Sequence, residues 1–280
     1  SKYHRLGCFN FAPPTDAMPF FNRFRVLGVS DRQRENIPGL PGEIVNVEGK
    51  NTLGRRVPMG DLPPVIVLIE ALVLSLVFFG LPLLSTRELR GVLKKHCRAL
   101  GYFACLGVAF IAIEVCLIQR LVLFLGAPVY TIATVLSSLL VFAGLGSLAS
   151  GVLKPSLKTI RILLLCVAGV VLLLHFAIPV VTKIFLGAAL GGRIAVALVI
   201  TGAAGFLMGM PMPTGLRLLK DSGAGIIPWA WAINGFFSVV GSAVSVLTAS
   251  TLGFPVVFFS ATALYAVAPL FLGRSADAES

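Results

Sequence analysis

Charged residues are scarce in this sequence. They make up 12% of its 280 residues, whereas hydrophobic residues make up 57%, and an ordinary soluble domain carries about 25% charged residues. Positions 1–62 are polar and rich in Arg, Pro and Gly, but from Pro63 onward one apolar run follows another. Because lipid cannot satisfy open backbone groups, such runs must be helical. The composition predicts an all-α polytopic membrane protein and excludes an ordinary soluble domain.

Metal-binding and catalytic patterns are missing as well. The five cysteines include no Cys-x-x-Cys pair, and the three histidines stand far apart. The sequence has no G-x-G-x-x-G element after a strand, no P-loop, no H-E-x-x-H and no G-x-S-x-G. We therefore expect no catalytic residue, no metal site and no cofactor in this chain. The cysteines are expected to be unpaired, small apolar residues.

The net charge of +11 is a property that nucleic-acid-binding proteins share. Here, however, the basic residues gather in short loops between apolar runs, which is the topogenic pattern of membrane proteins. We expect the lipid bilayer as the partner, through anionic headgroups, and no nucleic acid.

The basic loops also predict a topology. With seven crossings, four of these loops lie on one face and hold eleven basic residues. The positive-inside rule puts that face in the cytoplasm and residues 1–62 outside.

About seven transmembrane helices are predicted, since most of the apolar segments reach the roughly 20 residues that cross a bilayer. The segments are Pro64–Leu84, Leu100–Leu125, Val129–Leu153, Ile160–Leu186, Ile194–Met210, Ile226–Leu252 and Pro255–Leu272. They define a transmembrane domain, 63–273, between a polar N-terminal region, 1–62, and a polar tail, 274–280.

The sequence starts without a methionine or a signal peptide. We expect it to be the C-terminal part of a longer protein, with 1–62 as the tail of a soluble domain.

The second segment carries Glu114, Gln119 and Arg120 in apolar surroundings. Glu114 lies about 14 residues, or roughly 20 Å, into the segment, so it should face protein or water, pair with a cation, or be protonated. Glu114 and Arg120 are roughly 120° apart on a helical wheel, and we expect each to reach a different neighbour. A proton or substrate site and a buried hydrogen bond between helices both fit Glu114. Arg120 is expected to reach an interface near Gly126.

Two further polar residues stand inside apolar segments. His175 is a lone histidine, and Asn234 follows a pair of tryptophans; each can bridge helices or line a site. The candidate intramembrane polar site consists of Glu114, Gln119, Asn234 and His175. The candidate interface anchors are Arg120, Trp229 and Trp231.

Proline and glycine mark the end of the fifth segment. The stretch GFLMGMPMPTGLRLL, Gly205–Leu219, predicts that the helix breaks or ends there. A broken helix that lines a cavity and a simple helix end capped by Arg217 and Lys220 both fit.

Small residues recur at a spacing that lets helices approach closely. They are Ala143, Ser147 and Gly151, then Gly205 and Gly209, then Gly241 and Ser245.

Two blocks of the chain resemble the membrane region of bacterial spermidine-synthase-like multi-pass proteins. The first is EVCLIQRLVLFLGAPVY, Glu114–Tyr130, continuing to VLSSLLVFAGLGS. The second joins GFLMGMPMPTGLRLL to AWAINGFFSVVGSAVSVLTASTLGF. PPTDAMPFF, Pro13–Phe21, is similar to the family's TDDRPFF element, which closes its soluble domain. The chain departs from the family at Ala17-Met18, and at Ala127, where many relatives have histidine.

The resemblance implies an integral membrane module that anchors or serves a transferase-like domain, in a bacterial cytoplasmic (inner) membrane. Aminopropyl or methyl transfer from S-adenosylmethionine derivatives would belong to that upstream domain, and none of its residues lies in this chain. The resemblance puts residues 1–62 in the cytoplasm, whereas the loop charges put them outside. Two other functions stay open: a transporter-like subunit with a midplane polar site, and a non-catalytic structural subunit that works with other membrane subunits in a larger complex.

Overall fold

The structure, a computed structural model, describes residues 62–75, 77, 87–220 and 226–273. Its regular elements in these ranges are helices. They are α1 (Leu62–Ser75), α2 (Arg87–Leu125), α3 (Pro128–Ala149) with a 3-10 turn (Ser150–Val152), α4 (Leu157–Phe185), α5 (Leu190–Met208), α6 (Pro211–Leu218), α7 (Ile226–Leu252), α8 (Phe254–Val267) and α9 (Pro269–Gly273). The predictions for 1–61 and 274–280 lie outside the described residues.

Six spans in the described ranges are long and apolar enough to cross a membrane. The predicted fold class, an all-α polytopic membrane protein, is confirmed, and the expectation of about seven crossings is close. The difference lies at α1, which has 14 residues and is therefore about 21 Å long, short of the ~30 Å hydrocarbon core. The predicted first segment, Pro64–Leu84, continues beyond α1 into positions that are mostly outside the described ranges.

The predicted basic connection Thr86–Ala99 is largely helical, because α2 already begins at Arg87. Its Arg, Leu, Lys and Glu residues are strong helix formers. A hydropathy boundary marks where the chain enters lipid, and the helix itself begins several turns earlier. The membrane-crossing part of this helix is His96–Leu125.

The break predicted in the fifth segment is confirmed. Helix α5 ends at Met208 and α6 begins at Pro211, yet both belong to one span, Leu190–Leu218. Pro211 and Pro213 lie in the first turn of α6. Backbone N–H groups in that turn have no hydrogen-bond partner within the helix, so proline costs no hydrogen bond there. The feature is therefore a break within a span, followed by a short helix.

Helix α2 lies at the centre of the bundle and packs against α3, α7 and α8. The largest buried side chains on it include Tyr102, Phe103 and Leu117. On the outside, α3 and α4 expose large apolar side chains: Leu148 is 77% exposed and Leu173 is 63% exposed. Apolar faces of this size need lipid around them. The cysteines described, at 97, 105, 116 and 166, are all unpaired.

Small residues set the distance between α3 and α5, and between α2 and α7. A side chain at Gly146 would collide with the Phe206 backbone, and one at Gly209 with that of Ala143. At Gly205 the added carbon would lie 3.1 Å from the Leu139 backbone. The close approach predicted at Gly205 and Gly209 is therefore confirmed.

Two other positions in this prediction, Gly241 and Gly151, have opposite outcomes. Gly241 packs as predicted, since an added carbon there would lie 2.9 Å from the Val108 backbone. The prediction for Gly151 is wrong, because nothing lies within 4 Å of that position. The regular helix has already ended at Ala149, so Gly151 has left the surface that packs against α5.

The helices alternate in direction, which sorts their ends into two faces. The hydroxyl of Tyr102 donates to the Pro211 carbonyl at 2.8 Å, and Arg217 donates to the Gly151 carbonyl at 3.0 Å. These contacts bring 87–102, 150–161 and 211–220 to one end of the bundle, which we call the basic face. The opposite end contains the turns at 126–127 and 186–189 and the nearby Lys183; we call it the Lys183 face.

Candidate functional site

Arg120 connects three helices near the end of α2. Its Nη1 donates to the carbonyl oxygen of His175 on α4 at 3.1 Å, and its Nη2 lies 3.4 Å from the Nδ1 atom of the same residue. The guanidinium carbon is 4.9 Å from the centre of the Phe258 ring on α8, a cation–π distance. Arg120 thus lies half-buried within the bundle. Its predicted role as an interface anchor stays a prediction.

The His175 carbonyl is available because of Pro179. In an α-helix this oxygen would accept the N–H of the residue four positions later. That residue is Pro179, which lies inside α4 and has no N–H. An unsatisfied backbone group in hydrocarbon costs several kcal/mol, and neighbouring helices can supply the missing partner. Arg120 does so here.

The His175 side chain lies among aromatic rings. Its ring centre is 4.9 Å from that of Phe176, 5.4 Å from Phe258 and 5.1 Å from Phe259. With Arg120, these contacts place His175 at the junction of α2, α4 and α8. The structure therefore joins one predicted site residue, His175, to one predicted anchor, Arg120.

A cavity of about 360 Å³ opens beside this junction, between α2 and α4. Its lining residues are Gln119, Arg120, Val122, Leu123, Phe124, Ile178, Pro179, Thr182, Lys183 and Leu186. Thr182 uses its hydroxyl hydrogen within α4, where it donates to the Ile178 carbonyl at 2.8 Å. Gln119 is exposed and belongs to this cavity. The cavity has charge, hydrogen-bond donors and apolar walls together.

Two more arginines repeat the arrangement found at Arg120. Nη1 of Arg193 donates to the Phe124 carbonyl at 2.9 Å, and Phe124 is followed four residues later by Pro128. Arg217 donates to the carbonyl of Gly151, which is followed four residues later by Pro155. In both places a helix also ends, so the carbonyl has no partner within its own helix.

Sequence reasoning missed this arrangement. The signal was present, because each proline identifies a carbonyl that its own helix cannot satisfy. The arginine that reaches it is 55 to 69 residues away in the chain. That pairing follows from the three-dimensional packing. Arg217 additionally donates to the carbonyls of Ser150 and of Leu153, the latter at 3.2 Å.

Asn234 lies far from the Arg120 junction. Its Nδ2 donates to the Phe103 carbonyl at 3.0 Å, and Ser238 next to it donates to the Gly107 carbonyl at 3.3 Å. Phe103 precedes Arg120 by 17 residues on one helix, which is about 25 Å. The structure therefore does not bring Asn234 together with His175 and Gln119. The contacts of Asn234 join α7 to α2.

Glu114 lies between these two places and is half-buried. It follows Gly107 by seven residues, so it continues the stripe of α2 on which α7 packs. Within the described ranges, no residue donates a hydrogen bond to its carboxylate or forms an ion pair with it. Both explanations of Glu114, a functional carboxylate and a packing residue, stay predictions.

The remaining candidates are at the start of α7, toward the basic face. Trp231 is 57% exposed, whereas Trp229 packs against the core. An exposed tryptophan at a helix end is typical of a membrane interface, and the anchor role of both residues stays a prediction. Among the described residues, no group of three or more His, Cys, Asp or Glu side chains could hold a metal ion.

These helices and their lipid-facing surfaces define a multi-pass helical membrane protein. No protein-family model, curated protein or solved structure matches this chain. A function inferred from the resemblance of Glu114–Tyr130 and the later blocks to spermidine-synthase-like proteins is therefore a proposal.

Proposed function

We propose that this chain is the integral membrane module of a spermidine-synthase-like protein, which anchors or serves a transferase-like soluble domain not present in this chain. The resemblance of Glu114–Tyr130 and Gly205–Leu219 supports this proposal. No cofactor or catalytic motif stands in the chain itself, so the transfer reaction belongs to the other domain. We place the module in the bacterial inner membrane on the same resemblance.

One observation favours the proposal over the transporter alternative: partly or fully buried polar side chains bond to the backbone of neighbouring helices. Asn234 donates to the Phe103 carbonyl, and Arg120 to that of His175. Ser138 donates to the Leu198 carbonyl at 3.2 Å, which adds a bond between α3 and α5. Such bonds fix helices against one another. A fixed bundle suits an anchor, whereas alternating access requires helices that move.

The experiment begins with the complete gene product. We expect the reading frame upstream of Ser1 to encode an α/β domain with a glycine-rich cofactor loop. That domain should sediment with membranes when joined to residues 63–273 and stay in the supernatant without them. An upstream frame without such a domain contradicts the proposal. Recovery of the chain in fixed stoichiometry with other membrane subunits would then favour the structural-subunit alternative.

A transporter-like subunit is the second candidate, and Glu114 is the observation that favours it. A half-buried carboxylate in the middle part of a span, with no described partner, is a functional-site candidate by default. Uptake of substrate by vesicles that contain the purified chain would be measured for wild type and Glu114→Gln. Uptake that this substitution abolishes, with Glu70→Gln as the control on α1, would favour transport. Wild-type vesicles that take up nothing leave the anchor proposal in place.

A further inference from the structure

We propose that the cavity between α2 and α4 binds the anionic headgroup of a phospholipid. The inference does not depend on the proposed function, because it uses only the cavity and its surroundings. The cavity lies where α2 and α4 both end, at the Lys183 face. Arg120 stands five residues from the end of α2, or about 8 Å, a depth close to the thickness of the headgroup layer.

The charges in the cavity favour an anion. Arg120 and Lys183 line it, and none of the described lining residues is acidic. The C-terminal ends of α2 and α4 oppose this with roughly half a negative charge each, which is less than the two full positive charges. The amide of Gln119 adds hydrogen-bond donors. A polyamine, which is itself cationic, would be repelled from this cavity.

The walls of the cavity favour an amphiphile over a soluble anion. Leu123 and Leu186 line it and are 66% and 57% exposed, on the surface that faces lipid. Val122 and Ile178 add further apolar lining. A phospholipid satisfies both parts at once, with its phosphate beside the cations and its acyl chains along the leucines.

The cavity is also partly preorganised. Arg120 is held by the His175 carbonyl and by the Phe258 ring before any ligand arrives, so less side-chain freedom is lost on binding. Lys183 is exposed and supplies a charge that can adjust to the headgroup. Lys183 is therefore the residue to substitute, because its removal leaves the helix junction intact.

Native mass spectrometry of the purified full chain tests the proposal, with phosphatidylglycerol and phosphatidylcholine of identical acyl chains offered in turn. Wild type should retain one phosphatidylglycerol in preference to phosphatidylcholine. Lys183→Gln should weaken that retention about fivefold, which corresponds to ~1 kcal/mol for one basic residue near a membrane surface. Gln119→Glu, which adds a negative charge at nearly constant size, should abolish it. Lys158→Gln, an exposed lysine on α4 near the basic face, is the matched control and should change nothing.

Three outcomes would overturn the proposal. The first is equal retention of both lipids by wild type, and the second is an equal effect of Lys183→Gln and Lys158→Gln. The third is displacement of phosphatidylglycerol by millimolar inorganic phosphate, which would identify a soluble anion as the ligand. Thermal unfolding of each variant in the same detergent shows whether a loss of lipid comes from loss of the fold.

Discussion

Arg120 takes the place of a backbone N–H that Pro179 lacks. The proline interrupts the hydrogen-bond ladder inside α4 and leaves the His175 carbonyl open, and the guanidinium from α2 donates to that oxygen at 3.1 Å. Two residues on different helices, 59 positions apart in the sequence, are thus linked through a third residue's carbonyl. We therefore expect substitutions of Arg120 and Pro179 to have non-additive effects on the free energy of unfolding.

We expect Arg120→Met to lower the free energy of unfolding by about 1–3 kcal/mol, the range for leaving a buried hydrogen-bond acceptor without its partner. In a Pro179→Ala background the loss should be less than half as large, because an alanine at this position would provide the N–H that the His175 carbonyl needs. Unfolding of the four proteins in mixed micelles, as a double-mutant cycle, measures the coupling. Arg161→Met, an exposed arginine on α4, controls for loss of charge. Equal losses in both backgrounds would show that Pro179 has no part in the effect of Arg120.

A pair of neighbouring glycines tests the packing of α3 on α5. Gly146→Ala puts a methyl group into the Phe206 backbone, and overpacking of this kind costs about 1–3 kcal/mol. Gly144→Ala meets nothing within 4 Å and should be neutral or stabilising by up to ~1 kcal/mol, because alanine is the better helix former. Thermal unfolding in detergent compares the two variants. A Gly146→Ala protein as stable as Gly144→Ala would mean that the helices are not in close contact there.

Arg217 tests whether the geometry of the guanidinium matters beyond its charge. It donates to the Gly151 and Leu153 carbonyls at 3.0 and 3.2 Å and also to the Ser150 carbonyl. Lysine keeps the charge but not the planar set of donors, so Arg217→Lys and Arg217→Gln should both destabilise, each by about 1–2 kcal/mol. Unfolding measurements should show Lys220→Gln, at an exposed position, unchanged. If Arg217→Lys keeps wild-type stability, the positive charge alone suffices.

Glu114→Gln tests the carboxylate as a structural element. Since no described residue bonds to it, and since a charge in the membrane is costly, the neutral isostere should leave the free energy of unfolding unchanged or raise it by less than ~2 kcal/mol. Mixed-micelle unfolding measures this, with Glu70→Gln on the exposed face of α1 as the control. A loss of more than about 1 kcal/mol would instead reveal a hydrogen bond that the carboxylate accepts.

The sequence predicted the bounds of a helix correctly where the apolar run and the helix begin and end at the same residues. Helix α7 has the predicted bounds, Ile226–Leu252, because sharp polar and glycine boundaries flank an apolar run. Helix α2 does not, because its first turns are polar and lie ahead of the apolar segment. Hydropathy reports the solvent around a segment, whereas helix length also depends on propensity.

The candidate site was predictable only in part, for a similar reason. Wheel angles separate Glu114 from Arg120, and the two lie in different surroundings in the structure. The wheel does not say which helix comes next to each face, so the pairing of Arg120 with His175 required the fold. Asn234 and His175 looked alike in the sequence, as single polar residues in apolar helices, but they contact α2 near opposite ends of its membrane-crossing part, His96–Leu125.

The arginine bonds also have a consequence for how the protein is made. Arg120, Arg193 and Arg217 reach carbonyls that are 55, 69 and 66 residues away. A ribosome that adds about 5–20 residues per second takes roughly 3–14 seconds to cover these distances. During that interval Arg120, and then the carbonyls of Phe124 and Gly151, remain without their final partners. We expect nascent α2 and α3 to stay near water or the insertion machinery until α4, α5 and α6 arrive, so that the helices are released into lipid as a group.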